Sequence, residues 1–150
     1  MTNFKHLLIF FLIALSTFSA SAEEKPYKDI GEYRVFYSSF NSSFILPEIA
    51  SIYSIARGKD KGLVTIAITK SDQIGGKKAF VSGTATNMLQ QQQKLSFIEI
   101  KEGEATYYLA PFEYYNEDFL TFKIEIMAEP NKPSLLVLSF IHIWRRRRTT

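Results

Sequence analysis

The residues from Phe119 to Met127 alternate between apolar and polar side chains, and this alternation constrains the fold more than any other feature. Every second position carries a large apolar side chain: Leu120, Phe122, Ile124 and Ile126. Successive side chains of a strand point to opposite faces, so a period of two predicts a β-strand with one face in a core. Further strands must accompany it, because a lone strand leaves its backbone groups unpaired.

Other strand-like runs, separated by turn residues, lie at 33–40, 62–69, 78–86, 95–101, 106–112 and 135–144. The last run is apolar on both faces, which predicts a central, covered strand. Short strands at this spacing predict an all-β protein, an antiparallel β-sandwich of the immunoglobulin-like kind with about seven strands. A small closed barrel is the alternative.

One segment has helical rather than strand periodicity. Its apolar residues fall at Ile49, Ile52, Tyr53 and Ala56, the spacing of one helix face. Pro47 suits a first helical turn. We therefore predict a short helix near residues 47–56, between the first two strands.

The first residues have the pattern of an export signal. A basic start is followed by an apolar run from Leu7 to Phe18 and by Ala20-Ser21-Ala22, a small-residue cleavage pattern. The alternative is a membrane anchor, but the run is shorter than the roughly 20 apolar residues that span a bilayer. We expect a cleaved signal peptide at residues 1–22, a single domain at 23–150 and a periplasmic location.

The amino-acid composition excludes several kinds of catalytic and metal site. The chain of 150 residues has no cysteine, and after the signal it has one histidine, His142. Thiolate catalysis and cysteine zinc sites are excluded, and one histidine is too few for the usual zinc or copper ligand set. No cofactor, metal site or catalytic constellation is predicted, so we expect no enzyme. A hydrolase that uses His142 ranks as a distant third possibility.

The net charge of +3 comes from a short run near the end of the chain. This run is Arg145, Arg146, Arg147 and Arg148, and without it acidic residues outnumber basic ones. A basic face for nucleic acid is therefore not predicted. The tail 145–150 is interpreted as a solvated end, and weak contact with an anionic membrane is the functional alternative.

Two tyrosine doublets flank Pro111. They are Tyr107-Tyr108 and Tyr114-Tyr115. Because neighbours on a strand face opposite ways, one tyrosine of each doublet is expected outside. Tyr108 and Tyr114 are the candidates for an aromatic recognition surface. The alternative is that the tyrosines fill the sheets, as strands favour.

The pattern Y-x-V-x-Y-x-x-F-N-S-x-F-x-x-P-E-x-A, from Tyr33 to Ala50, resembles a small family of exported proteobacterial proteins catalogued as a domain of unknown function. The resemblance implies a periplasmic single-domain β-sandwich and supplies no activity. Five polar residues in or near this block are site candidates: Asn41, Ser42, Glu48, Tyr53 and Arg57. They form either a structural corner, which capping favours, or a polar recognition site.

These observations predict a non-catalytic binding or interaction module. A polypeptide partner would dock on an open strand edge. The alternative is a carrier of a small molecule or lipid, with an apolar cavity between the sheets or under the helix. Such a cavity would be lined by Phe44, Ile49 and Ile52.

Overall fold

The structure is a computed structural model that describes residues 25–73, 75–115 and 119–142, with the side chains of 136 and 138–142 left out. The expected signal peptide at 1–22, the side chain of His142 and the arginines at 145–148 lie outside the described residues.

Nine strands form within the described residues. They are β1 (Tyr27–Ile30), β2 (Tyr33–Asn41), β3 (Lys61–Lys70), β4 (Phe80–Thr86), β5 (Gln92–Leu95), β6 (Ile98–Glu102), β7 (Ala105–Glu113), β8 (Phe119–Met127) and β9 (Leu135–His142). One sheet has the order β1-β2-β3-β7-β6 and the other the order β5-β4-β8-β9. All neighbouring strands are antiparallel. The prediction of an all-β antiparallel sandwich is confirmed.

The alternation of β8 is confirmed at the centre of the core. Its four alternate apolar side chains are at most 1% exposed. They pack against the inward residues of β3, which are Val64, Ile66 and Ile68. Burial of this apolar surface is the main driving force that holds the two sheets face to face.

Three details of the strand prediction are wrong. β1 has no counterpart in it. The run 95–101 divides into β5 and β6, because the chain crosses there from one sheet to the other. The run from Leu135, expected at the centre, is an edge strand among the described ones, since β9 pairs with β8 alone. Apolar residues on both faces of a strand do not report the number of its neighbouring strands.

Helix α1 (Pro47–Ile52) is present but shorter than predicted. Tyr53 is the capping residue after its last turn, and Ser54 has a positive φ of 53°. Ala50 and Ile55 are the buried residues of this connection, and they pack on the outer face of the five-stranded sheet.

Three apolar residues of this connection do not line a cavity. Phe44, Ile49 and Ile52 are exposed, so the expected cavity under the helix is not formed by them. The helical spacing predicts the helix but not the face that it buries.

The strand registers define two ends of the sandwich. The β1–β2, β3–β4, β6–β7 and β8–β9 connections lie at one end, which we call the upper end. The β2–β3 connection, the β4–β5 turn and the β7–β8 connection lie at the opposite, lower end, where β9 also ends. Tyr33 bonds to Glu129 across the sheets at the upper end, and Gln93 bonds to Glu113 at the lower end.

A Gly62→Ala substitution is expected to destabilise the fold by about 2 kcal/mol, because overpacking a filled core is unfavourable. A Cβ at Gly62 would lie 2.2 Å from Cζ of the buried ring of Phe112. Urea unfolding measures the loss. Gly58→Ala is the control, since its Cβ meets only the side chains of Asp60 and Lys61. Equal stability of the two variants would contradict the tight packing of β3 on Phe112.

Candidate functional site

A carboxylate at the upper end joins the two sheets. Glu129 follows β8, and its Oε1 accepts a hydrogen bond from the Tyr33 hydroxyl at 2.5 Å. Lys77 Nζ also donates to Oε1, at 3.3 Å, and Lys132 Nζ lies 3.3 Å from Oε2. Because Tyr33 belongs to β2, this contact connects the five-stranded sheet to the four-stranded one.

A second carboxylate extends this network. Glu32 in the β1–β2 turn pairs with Lys132 and, at 3.0 Å, with Lys70. A cavity of about 210 Å³ lies beside the network, between the β1–β2 turn and the β8–β9 connection. The charges here are paired with one another, which suits a structural clamp.

The network changes the pKa values of its members. The hydrogen bond from Tyr33, followed by those from Lys132 and Lys77, lowers the pKa of Glu129 to about 2. The same bond to Glu129 raises the pKa of Tyr33. Glu129 is therefore a carboxylate and Tyr33 a neutral phenol near neutral pH. Neither group is poised for general acid–base chemistry at that pH.

A larger cleft opens beside this network, between β6 and the first residues of β4. Its volume is about 470 Å³. Its lining is mostly apolar and includes Phe80, Phe97, Met127 and Pro130, with Glu99 and Tyr108 as polar members. Phe80 stands at the rim with 69% of its surface exposed. Such a mixture of apolar walls and few polar groups is typical of binding sites.

Tyr108 fixes the back of the cleft. Its hydroxyl accepts a hydrogen bond from the Ala79 backbone N–H at 2.7 Å and donates to Glu99 Oε2 at 3.2 Å. Burial, the largest cause, raises the pKa of Tyr108. The phenol therefore stays protonated near neutral pH, and its O–H can donate to Glu99. The same hydroxyl holds the start of β4 against the five-stranded sheet.

The start of β4 is paired on one side only, among the described strands. β8 pairs with β4 from Phe80 to Thr86, whereas β5 pairs only from Gly83 to Thr86. Alternate backbone groups of a strand face its two neighbours. The stretch Phe80–Ser82, which we call the free half of β4, therefore presents unpaired backbone groups next to the cleft.

The sequence-derived candidates lie elsewhere, at the lower end. Asn41 Nδ2 donates to the Tyr114 hydroxyl at 2.5 Å and to the Lys59 carbonyl at 3.1 Å. Asn41 Oδ1 accepts from the Ser43 backbone N–H at 2.8 Å. Asn41 thus ends β2 and ties the connection that follows to the residue after β7.

Ser42 and Arg57 complete this corner. Ser42 is fully buried, and its Oγ accepts from the Gly58 backbone N–H at 3.0 Å. Arg57 Nη2 donates to the Ser43 carbonyl at 2.9 Å. These bonds are internal, as the structural-corner interpretation expects, and they leave no cluster of polar groups aimed at a ligand.

The remaining candidates of the block are not part of a polar site. Glu48 is exposed, and the described residues include no ion pair between Glu48 and Arg57. Tyr53 is half-buried and packs against the cluster of Ala50 and Leu63.

Tyr108 and Tyr114 do not form an exposed recognition surface, and that expectation is corrected here. They are only 4% and 8% exposed, because they share the inward face of β7 and its extension with Phe112. In the second doublet the exposed member is Tyr115, and Tyr107 is half-buried. Alternation predicted one tyrosine inside each doublet but not which one.

The cleft residues Phe80, Phe97 and Met127 were missed in the sequence. Their runs were assigned to strands, but the cleft depends on where β5 leaves its sheet, which no local pattern marks. Nowhere in 25–73, 75–115 and 119–142 do three or more potential ligands gather in a way that could hold a metal ion. The helices of these ranges are all too short or too polar to cross a membrane.

Asn41→Ala is expected to lower the free energy of unfolding by about 1–3 kcal/mol, because it removes four hydrogen bonds and leaves the hydroxyl of the buried Tyr114 without its donor. Chemical denaturation measures the change. Ser43→Ala, on an exposed neighbour, is the control and should cost less. An Asn41→Ala protein as stable as the parent would be evidence against the structural corner.

Tyr33→Phe is expected to raise the pKa of Glu129 from about 2 towards its ordinary value of 4.5, because its largest stabilising bond is lost. A depressed carboxyl pKa stabilises the fold above pH 4.5, and that stability is lost as the pH falls towards 2. The variant should therefore lose less stability over that range. An NMR titration of the carboxyl carbon reports the pKa. Tyr115→Phe is the control, and an unmoved pKa in Tyr33→Phe would refute the assigned cause.

The fold resembles that of a solved structure. A solved structure of a DUF4426 family protein from Pseudomonas aeruginosa PAO1 matches with a TM-score of 0.70 and 27% identity. The match covers 79% of this chain and 93% of that one. A search of curated proteins gives no match. The model of the domain of unknown function DUF4426 matches residues 27–141, and the chain therefore belongs to the DUF4426 family.

Proposed function

We propose that this protein is a non-catalytic, periplasmic binding module that takes an extended polypeptide segment along the free half of β4. The observation that carries the proposal is the pairing of β4, whose first residues have β8 on one side and no described strand on the other. An added strand would continue the four-stranded sheet beyond the end of β5.

Backbone pairing would supply the affinity of such a complex. A peptide beside Phe80–Ser82 would meet the unpaired N–H and C=O groups of the free half of β4, in the manner of β-strand addition. Val81 is buried and faces the core, so the core side of this stretch is already filled. A bound peptide would therefore need only to pair with the backbone of the strand edge and to place side chains in the cleft.

The cleft would supply the specificity. It lies directly beside the free half of β4, and Phe80 and Met127 offer exposed apolar surface at its rim. Lys78 and Glu99 add one charge of each sign to the lining. A peptide with a large apolar side chain, flanked by polar residues, matches this lining, since alternate side chains of an added strand enter pockets on one face.

The periplasmic location of the protein is also part of this proposal. Its support is the order of the basic start, the apolar run and the Ala20-Ser21-Ala22 pattern in the sequence.

A carrier of a small amphiphile is the second candidate, and the cleft volume of about 470 Å³ favours it. That volume falls in the range of small-molecule sites. Native mass spectrometry of the protein purified from periplasm distinguishes the two candidates. A copurifying small mass that is lost in Phe80→Ser would favour the carrier.

The peptide proposal is tested by selecting linear peptides from a display library on the purified protein. Selected peptides should bind about tenfold more weakly to Phe80→Ser and to Met127→Ser, because the rim would lose its apolar contacts. Leu89→Ser is the control, since Leu89 is also an exposed apolar residue but lies at the lower end.

N-methylated peptides separate strand addition from simple apolar contact. Methylation of one alternate set of peptide amides should abolish binding, and methylation of the other set should be tolerated, because only one set faces β4. Equal tolerance of both sets, or binding that ignores Phe80→Ser and Met127→Ser, would refute strand addition at this site.

A further inference from the structure

The β2–β3 connection carries a row of exposed apolar side chains. Phe44 and Leu46 are 80% and 65% exposed, and Ile49 and Ile52 of α1 are 42% and 70% exposed. Leu46, Ile49 and Ile52 recur every third residue, so they follow one side of the helix. We call these four side chains the connection face. None of them belongs to a buried cluster, so packing of the core does not account for them.

Helix α1 buries little of its own surface. It has six residues, and Ala50 is the buried one. A helix of this length is marginal by itself, because most helical stability in proteins comes from the packing of an apolar face. Ala50 packs on the five-stranded sheet, whereas Ile49 and Ile52 remain exposed on another side. A second surface that covers Ile49 and Ile52 would therefore stabilise α1.

Opposite charges lie on either side of Phe44 and Leu46. Arg57 Nη2 donates to the carbonyl of Ser43, the residue before Phe44, at 2.9 Å. Glu48 follows Leu46 by two residues and is exposed. Among the described residues neither Arg57 nor Glu48 takes part in an ion pair. The connection face thus has an unpaired cation beside Ser43 and an unpaired anion just beyond Leu46.

We propose that the connection face is a self-association surface, at which two copies of this chain meet about a twofold axis. A surface with one unpaired cation and one unpaired anion is complementary to itself, because a twofold axis between them brings each charge to its opposite on the second copy. Glu48 of each copy then pairs with the partner's Arg57. The apolar side chains between these charges meet across the axis and are removed from water.

The area of the connection face suits a weak dimer. Its four side chains present on the order of 400 Å² of apolar surface, comparable to the largest patch of a typical monomer. With the charged rim, two copies would hide about 1,000 Å² in total, the lower bound for a specific interface. A second copy fits better than an anionic lipid surface, because Glu48 lies among the apolar residues and would be repelled by the headgroups.

Sedimentation velocity of the mature chain (23–150) tests the proposal. Between about 1 μM and about 100 μM the parent should change from monomer to dimer, as a micromolar dissociation constant requires. Leu46→Ser should weaken the dimer about thirtyfold, because a twofold interface loses the side chain from both copies. Leu46 is the N-cap of α1 and makes no side-chain capping bond, and serine is a favoured N-cap, so the variant should stay folded.

Phe80→Ser is the matched control for Leu46→Ser. The two side chains are similarly exposed, at 69% and 65%, but Phe80 lies at the upper end. This variant should form dimers like the parent. It also distinguishes the connection face from self-pairing through the free half of β4, which would be weakened by Phe80→Ser.

Charge reversal tests the pairing across the axis. Glu48→Arg should weaken the dimer about tenfold, because it sets like charges against each other at two places. The double variant Glu48→Arg with Arg57→Glu should recover to within about threefold of the parent, since both pairs are restored in reverse. The double variant also lacks the bond from Arg57 to the Ser43 carbonyl, so a purely local role of Arg57 predicts no recovery.

Four results would overturn the proposal. The parent could stay monomeric at about 100 μM, or Phe80→Ser could dissociate the dimer while Leu46→Ser does not. The double charge reversal could fail to recover. Binding of a monomeric parent to lipid vesicles, lost in Leu46→Ser, would assign the connection face to a membrane. Peptide binding by Leu46→Ser should equal that of the parent, which keeps this test separate from the tests at the cleft.

Discussion

The closure of one sheet on the other depends on an aromatic contact in the lower half of the sandwich. Phe112 of β7 meets Phe122 of β8 edge-on, with ring centroids 4.9 Å apart. The two strands belong to different sheets, and Gly62 of β3 leaves the room that the Phe112 ring occupies. Edge-to-face aromatic pairs add to the stabilisation from area alone. The pair thereby joins β7 of one sheet directly to β8 of the other, within the larger buried core.

Polar clamps at the two ends complete this closure. At the upper end Tyr33 donates to Glu129, and at the lower end Gln93 exchanges two hydrogen bonds with the backbone of Glu113. Between these ends the chain crosses from β5 to β6. A segment that joins one sheet at Leu95 and the other at Ile98 cannot also cover the start of β4. The free half of β4 and its cleft follow from that crossing.

The sequence could predict features that depend on a local pattern, and it could not predict features that depend on contacts between distant parts of the chain. The alternation of β8 predicted its buried face, since the pattern lies within one strand. The polar block predicted a corner, because Asn41 and Ser42 act on nearby backbone. The exposure of Phe80 could not be predicted, as it depends on a crossing far along the chain. The inward direction of Tyr108 and Tyr114 depends on register with the core, which residue type does not reveal.

The two ends of the sandwich have different surfaces because of how its connections are distributed. The nine-residue strands β7 and β8 separate the ends by roughly 30 Å, at about 3.3 Å for each residue. The cleft and the free half of β4 lie at the upper end, and the corner held by Asn41 and Ser42 lies at the lower end. A peptide paired along the strand edge would therefore leave the hydrogen bonds of that corner untouched.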